Sequence, residues 1–167
     1  VIAGVPSEAV CQYCGCRDIP LIRDFIHEHA RVLDLGRHAV HAIDRGELDT
    51  ARGLLTDMAG ELVPHWRGEE NGLFAVMAKD DTVAEHLAPL IREHRELDRL
   101  LATVDLTAPE GQQAVRDAVD ELFEHIRREE DGIFPAALTS LDGDEWDVAI
   151  ASWHEAHPGR EMVRFNV

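Results

Sequence analysis

The sequence predicts an all-α protein: an up-down-up-down four-helix bundle with a cysteine-containing N-terminal arm and a short C-terminal helix. Three observations predict it. Ala, Leu, Glu, Asp and Arg dominate the composition while aromatic residues make up only 5%, a mixture that favours helix. Apolar residues recur at helical spacing in long stretches separated by short connections. No stretch alternates β-branched and polar residues as a half-buried strand would.

Taken in order, residues 1–18 read as an arm holding Gly4, Pro6 and three cysteines. Pro20 suits the first turn of a helix with Asp18 as its cap, and Leu21, Ile22, Phe25, Ile26, Leu33, Val40 and Ile43 then carry the first helix to Gly46. A second helix spans 47–78, with Pro64 expected to kink it just before His65. Asp81 and Thr82 open a third helix that ends near Val104. Pro109 and Glu110 open a fourth that runs to about Leu141, its last turns bent at Pro135. Asp142, Gly143 and Asp144 cap a short fifth helix through His154, and the tail after Pro158 and Gly159 is irregular. The expected organisation is an arm (1–18), a four-helix bundle (19–142), and a C-terminal helix with tail (143–167).

The formal net charge of −17 argues against a nucleic-acid or anionic-membrane partner, because both need cationic footprints. No run of apolar residues is long enough to span a bilayer, and residues 1–10 lack the charged-then-apolar pattern of a secretory signal. Cys11, Cys14 and Cys16 are an odd, clustered set and a poor disulfide framework, which suggests a reducing, cytoplasmic setting.

The chain repeats itself. Residues 65–74 read His-Trp-Arg-Gly-Glu-Glu-Asn-Gly-Leu-Phe, and residues 125–134 read His-Ile-Arg-Arg-Glu-Glu-Asp-Gly-Ile-Phe. Each copy sets a histidine four residues before a glutamate, so the two side chains lie about 40° apart on one helix face and roughly 6 Å apart along the axis. Upstream, Ile26-His27-Glu28-His29 resembles Ile91-Arg92-Glu93-His94, so the first two helices echo the next two. Ten histidines among 33 carboxylates yield some such pairs by chance, His94 with Asp98 among them. The repeated context and a shared depth carry the argument instead. His29, His65, Glu69, His94, His125 and Glu129 each lie roughly 15–20 Å from the same end of their antiparallel helices, hence at one level.

Imidazoles with bridging carboxylates suit iron, manganese or zinc. A structural zinc site would more often use four ligands including thiolates. Six or more nitrogen and oxygen donors at a bundle centre favour a carboxylate-bridged di-iron pair. The ferritin-like alternative needs E-x-x-H motifs, and the second and fourth helices have none.

Over about residues 20–142 the chain resembles the hemerythrin-like, or HHE cation-binding, family: a first-helix histidine, H-x-x-x-E in the second helix, a third-helix histidine, and H-x-x-x-E in the fourth. The resemblance implies His29, His65, Glu69, His94, His125 and Glu129 as ligands of two iron ions, oxo- or hydroxo-bridged, with both glutamates bridging. Zinc or manganese stands behind iron. Two departures matter. Oxygen carriers of this family place another histidine one turn before His94, where this chain has Leu90, and His86 is about 12 Å back along the axis. Carriers also use a fourth-helix aspartate at the position of Glu130, which leaves Glu129 or Glu130 as the donor. The implied function is binding of dioxygen, nitric oxide or peroxide. The alternatives are a di-iron oxidoreductase consuming peroxide or nitric oxide, with Glu70 or Glu130 as proton source, an iron or redox sensor, and a zinc-loaded structural bundle.

Other residues have plainer expectations. His27 belongs to the surface, His38 and His41 lie outside the site in a surface or packing role, and Trp66, Leu73, Phe74, Ile133 and Phe134 belong to the core and site walls. The cysteines are inert thiols, redox-active thiols, or holders of a second metal with His154 or His157 as fourth ligand.

Overall fold

The computed structural model describes residues 15–163. A 3₁₀ turn, Gly15–Asp18, leads into α1 (Ile22–Asp44). Next come α2 (Leu48–Gly68), a π turn (Glu69–Leu73) and α3 (Phe74–Met77), forming one continuous rod. After α4 (Asp81–Thr103), the second such rod comprises α5 (Pro109–Arg128), a π turn (Glu129–Ile133) and α6 (Phe134–Ser140). The last helix is α7 (Gly143–Ala156). The described residues are all-α, as the composition and spacing predict, and none of their helices is long and apolar enough to cross a membrane.

Helix ends follow local chemistry. Asp80 caps α4 by accepting from the Thr82 N–H at 2.9 Å. Pro109 occupies the first turn of α5, where its missing N–H costs no ladder bond. Asp142 and Glu145 form a capping box on α7: Asp142 Oδ1 accepts from the Glu145 N–H at 3.0 Å, and Glu145 Oε2 from the Asp142 N–H at 3.2 Å.

The start of α1 departs from expectation. Asp18 closes the 3₁₀ turn, and Leu21 is the flanking residue, with φ of 76°. Asp24, not Asp18, supplies the capping carboxylate, accepting from the Leu21 N–H at 3.1 Å. Left-handed backbone is costly for leucine, and complete burial of its side chain is what holds it there.

The prolines sit within continuous rods. α2 runs through Pro64, and the ladder changes five residues later, where the Phe74 N–H reaches back to Glu69 O. The Phe134 N–H makes the same bond to Glu129 O with no proline ahead of it, so Pro64 is not what produces the π turn. Pro135 falls in the first turn of α6, just past the second π turn, where an absent N–H is tolerated.

The core splits into two apolar clusters. One gathers Leu21, Phe25, Leu73, Phe74, Leu90, Phe134 and Trp153, and the other Val32, Met58, Leu62, Trp66, Val115, Leu122 and Ile126. Along every long rod a buried polar residue separates them, as His29 does between Phe25 and Val32. The result is a polar layer across the bundle between two dry ones.

Candidate metal centre

That layer holds all six expected donors. His29, His65, Glu69, His94, His125 and Glu129 are buried together. His29 Nε2 lies 3.1 Å from His65 Nε2, and His94 Nε2 lies 3.0 Å from His125 Nε2. The imidazoles therefore pair by half, α1 with α2 and α4 with α5. Two nitrogens that each reach a metal at about 2.1 Å stand about 3 Å apart when they subtend a right angle there.

Glu69 and Glu129 lie between the pairs and touch both. Glu129 Oε2 is 3.2 Å from His29 Nε2, while its Oε1 is 2.9 Å from His125 Nε2 and 3.7 Å from His94 Nε2. Glu69 Oε2 is 3.4 Å from His65 Nε2 and 3.7 Å from His94 Nε2, and Oε1 is 3.9 Å from His29 Nε2. None of these four carboxylate oxygens, fully buried, makes a directed hydrogen bond. Buried carboxylates without partners are expensive, and a cation is their natural complement.

The outward nitrogens explain why the inner ones stay available. Each Nδ1 faces a carboxylate from a neighbouring rod: His65 to Glu28 at 2.8 Å, His29 to Glu130 at 2.9 Å, His94 to Glu70 at 2.9 Å and His125 to Glu93 at 2.7 Å. An Nδ1–H donating outward leaves Nε2 as an unprotonated donor to a metal. Each outer carboxylate also meets an arginine. Arg17 pairs with Glu130 and Arg95 with Glu70; Arg128 lies 2.5 Å from Glu93, and Arg160 lies 3.8 Å from Glu28. Four arginines thus offset four outer carboxylates, and the inner pair supplies the charge that faces a bound ion.

Ionisation follows this arrangement. Burial and the facing Glu129 push Glu69 well above the ordinary carboxyl range. Burial also works against ionised Glu129, but His125, His29 and His94 outweigh it and hold Glu129 well below that range. Burial lowers His29 to about 4. At His125 burial is outweighed by Glu129 and Glu93, and its pKa is raised. Burial of Glu70 is likewise outweighed by His94 and Arg95, so Glu70 is held ionised. Glu70 is thus an acceptor anchored at both oxygens, not the proton source considered from sequence. Glu130 is anchored in the same way between His29 and Arg17.

The structure separates Glu129 from Glu130 by direction: Glu129 faces the inner space and Glu130 holds His29. Two donor groups are close enough to share an ion, His29 with His65, Glu69 and Glu129, and His94 with His125 and Glu129. Leu90 is buried in the first apolar cluster, and His86 is exposed and takes no part. The expected walls are in place. Phe134 stacks on His29 with ring centroids 5.7 Å apart, and Trp66 and Phe74 lie over His94 at 5.1 and 6.2 Å.

His27, His38, His41 and His154 are exposed, as expected for His27. His157, weighed from sequence as a fourth ligand for the thiolates, is buried on Trp153 with ring centroids 4.3 Å apart. Cys11 and Cys14 lie outside the described residues, and Cys16 belongs to no metal-competent group among the described ones. Sequence reasoning missed the outer carboxylates. The signal was present, since a glutamate directly precedes the histidine in both Glu28-His29 and Glu93-His94, and both later motifs carry two glutamates in a row.

A family model for the hemerythrin HHE cation binding domain matches residues 21–137. The chain is also similar to the "Iron-sulfur cluster repair protein DnrN" of Neisseria gonorrhoeae, with 32% identity over 103 residues. That alignment takes in 53% of this chain and 66% of the relative, just under two thirds of its length. No solved structure matches significantly.

Proposed function

The chain belongs to the hemerythrin HHE cation-binding family, and from that premise we propose that it is a cytoplasmic non-haem di-iron protein that takes up dioxygen, nitric oxide or peroxide. One observation carries the reading: four inward imidazole nitrogens and four carboxylate oxygens without a directed hydrogen bond share one buried level. His29 and His65 would hold one ion, His94 and His125 the other, with Glu69 and Glu129 between them. Iron held there would supply electrons and Lewis acidity to a small molecule.

The chain's own residues set the conditions. Glu28, Glu70, Glu93 and Glu130 fix the tautomer and plane of each imidazole. Phe134 lies over His29, and Trp66 and Phe74 over His94, so the imidazoles are walled by apolar rings. Leu90 contributes no donor, so the His94 side has one nitrogen fewer than the oxygen carriers of this family. This favours a centre with room for an incoming molecule.

Elemental analysis of protein from iron-rich culture tests the reading; two irons per chain are expected, and stoichiometric zinc would refute it. Stopped-flow mixing of the reduced protein with dioxygen or peroxide separates a binder, which gives a long-lived adduct, from an oxidoreductase, which consumes ligand repeatedly. A second reading, iron release for cluster repair, draws on the printed name of the gonococcal relative. Transfer of iron from the loaded protein to an apo iron–sulfur acceptor would favour it.

A further inference from the structure

The two halves of the centre match in their inner donors but not in what lies behind them. Glu28 supports His65, and Glu93 supports His125, at equivalent places in the repeat. Glu93 is 36% exposed and turns the same oxygen, Oε2, to His125 and Arg128. The Glu28 side chain is 5% exposed, and its two oxygens are divided. Oε2 accepts from His65, while Oε1 accepts from Trp153 Nε1 at 3.1 Å and has His157 Nε2 at 3.1 Å.

The extra partners come from α7 and the tail, which have no counterpart in the second half. His157 Nδ1 donates to Trp153 O at 2.8 Å, which locks the two rings as a stacked unit. The tail continues over the same side: Arg160 bonds Glu61 at 3.1 Å, and the Val163 N–H bonds Asp24 at 2.6 Å. In the other half, a groove of about 570 Å³ between α4 and α5 is lined by Trp66, Leu97, Leu122 and the two histidines His94 and His125. One histidine pair is backed by a buried strap, and the other borders an opening to solvent.

We propose that Trp153 and His157 are positioning residues for the first metal position. Through Glu28 they fix His65, so the ion between His29 and His65 is retained while the ion between His94 and His125 exchanges through the groove. The proposal rests on the two-ion reading above and goes beyond it by making the two positions unequal.

The test is release of iron from the full chain, loaded anaerobically with Fe(II) and challenged with excess ferrozine. Two phases of one equivalent each are expected. W153F keeps the ring packing but removes the indole N–H. It should speed the slow phase about tenfold, the scale on which outer-shell partners act, and leave the fast phase unchanged. H157F should do the same, and H157Q, which keeps a polar group toward Glu28, should restore much of the slow phase. R128Q, behind Glu93, should move only the fast phase. If one variant fails to give the wild-type helical circular dichroism, the other variants still decide the matter. Two bound equivalents leaving in a single phase would overturn the proposal and leave the two-ion reading standing. A slow phase untouched by W153F and H157F, or both phases shifted together, would also overturn the proposal alone. Fewer than two equivalents bound would overturn both.

Discussion

Glu69 and Glu129 face each other across the buried layer, and in the metal-free protein burial and Glu129 push Glu69 toward its protonated form, which costs folding free energy. Glu69→Gln cannot ionise. It should stabilise the metal-free chain by about 1–2 kcal/mol while lowering bound iron below two per chain. Thermal melts of the apo form and elemental analysis check the two halves of this prediction, and an unchanged iron content would contradict it. His29 contributes to the response to acid. Burial lowers it to about 4 from 6.5, so between those values only the unfolded chain takes up the proton. Its contribution is complete above pH 6.5 and is lost as pH falls toward 4. Glu28 extends the decline: burial pushes it up, but His157 and His65 outweigh that and hold it at about 2, so its contribution fades from pH 4.5 toward 2. Raised His125 acts in the opposite sense, stabilising below its ordinary value and fading at higher pH. Buried Glu69, raised well above the ordinary carboxyl value, likewise favours the folded chain as pH falls toward 4.5 and opposes His29. The apo melting temperature should therefore drop on acidification below about pH 4.5, where Glu28 and Glu129 lose their contributions, and a flat profile there would count against the pairing of Glu28 with His65 and His157. The inner donors were legible because histidine and glutamate recur at one spacing in two copies. The outer carboxylates were not distinguished, because which of two adjacent glutamates turns inward depends on the neighbouring rod.

At the level of elements, the two π turns occupy matching places but differ in what packs on them. At Gly72 a Cβ would meet Ser152 Cβ at 2.9 Å and the Ala149 carbonyl at 3.1 Å, whereas at Gly132 it would meet nothing within 4 Å. Gly72→Ala should thus cost about 1–3 kcal/mol by forcing α7 away. Gly132→Ala should be neutral or gain up to about 1 kcal/mol from helix propensity. Chemical denaturation of the pair decides, and equal effects would show that α7 is not seated as described. Helix boundaries with a local cause were readable in advance, as at Pro109 and at the Asp142 capping box. The π turns were not, since an i→i+5 bond gives no sequence signal of its own and is selected by how the rod fits the layer. The entry to α1 was misassigned for a similar reason: Asp24 outcompetes Asp18 because it also anchors the returning tail at Val163.

For the whole molecule, a polar layer between two apolar clusters means that metal and fold support each other. An ion that binds only the folded chain stabilises it by about 4 kcal/mol at a thousandfold excess over its dissociation constant. The melting temperature should accordingly rise with added Fe(II), and Trp66 emission should be quenched because its ring lies 5.1 Å from that of His94. A melting temperature indifferent to metal would refute this. The bundle itself was legible because periodicity and caps report on local winding. The role of the last helix was not, because a lone Trp153 and His157 in an unrepeated segment give no hint of the carboxylate they will meet. The π turns have one more effect at this scale. Each takes up one residue more than an ordinary turn, so Phe74 stands five residues after Glu69 at the place a fourth residue would occupy in an α-helix. If the same residues wound as an ordinary α-helix, residues 74–77 would swing by about 100°. Phe74 and Met77 would then leave the core, and the slot that receives α7 would turn with them. The spacing that presents Glu69 and the seating of the C-terminal helix are therefore inherited or lost together.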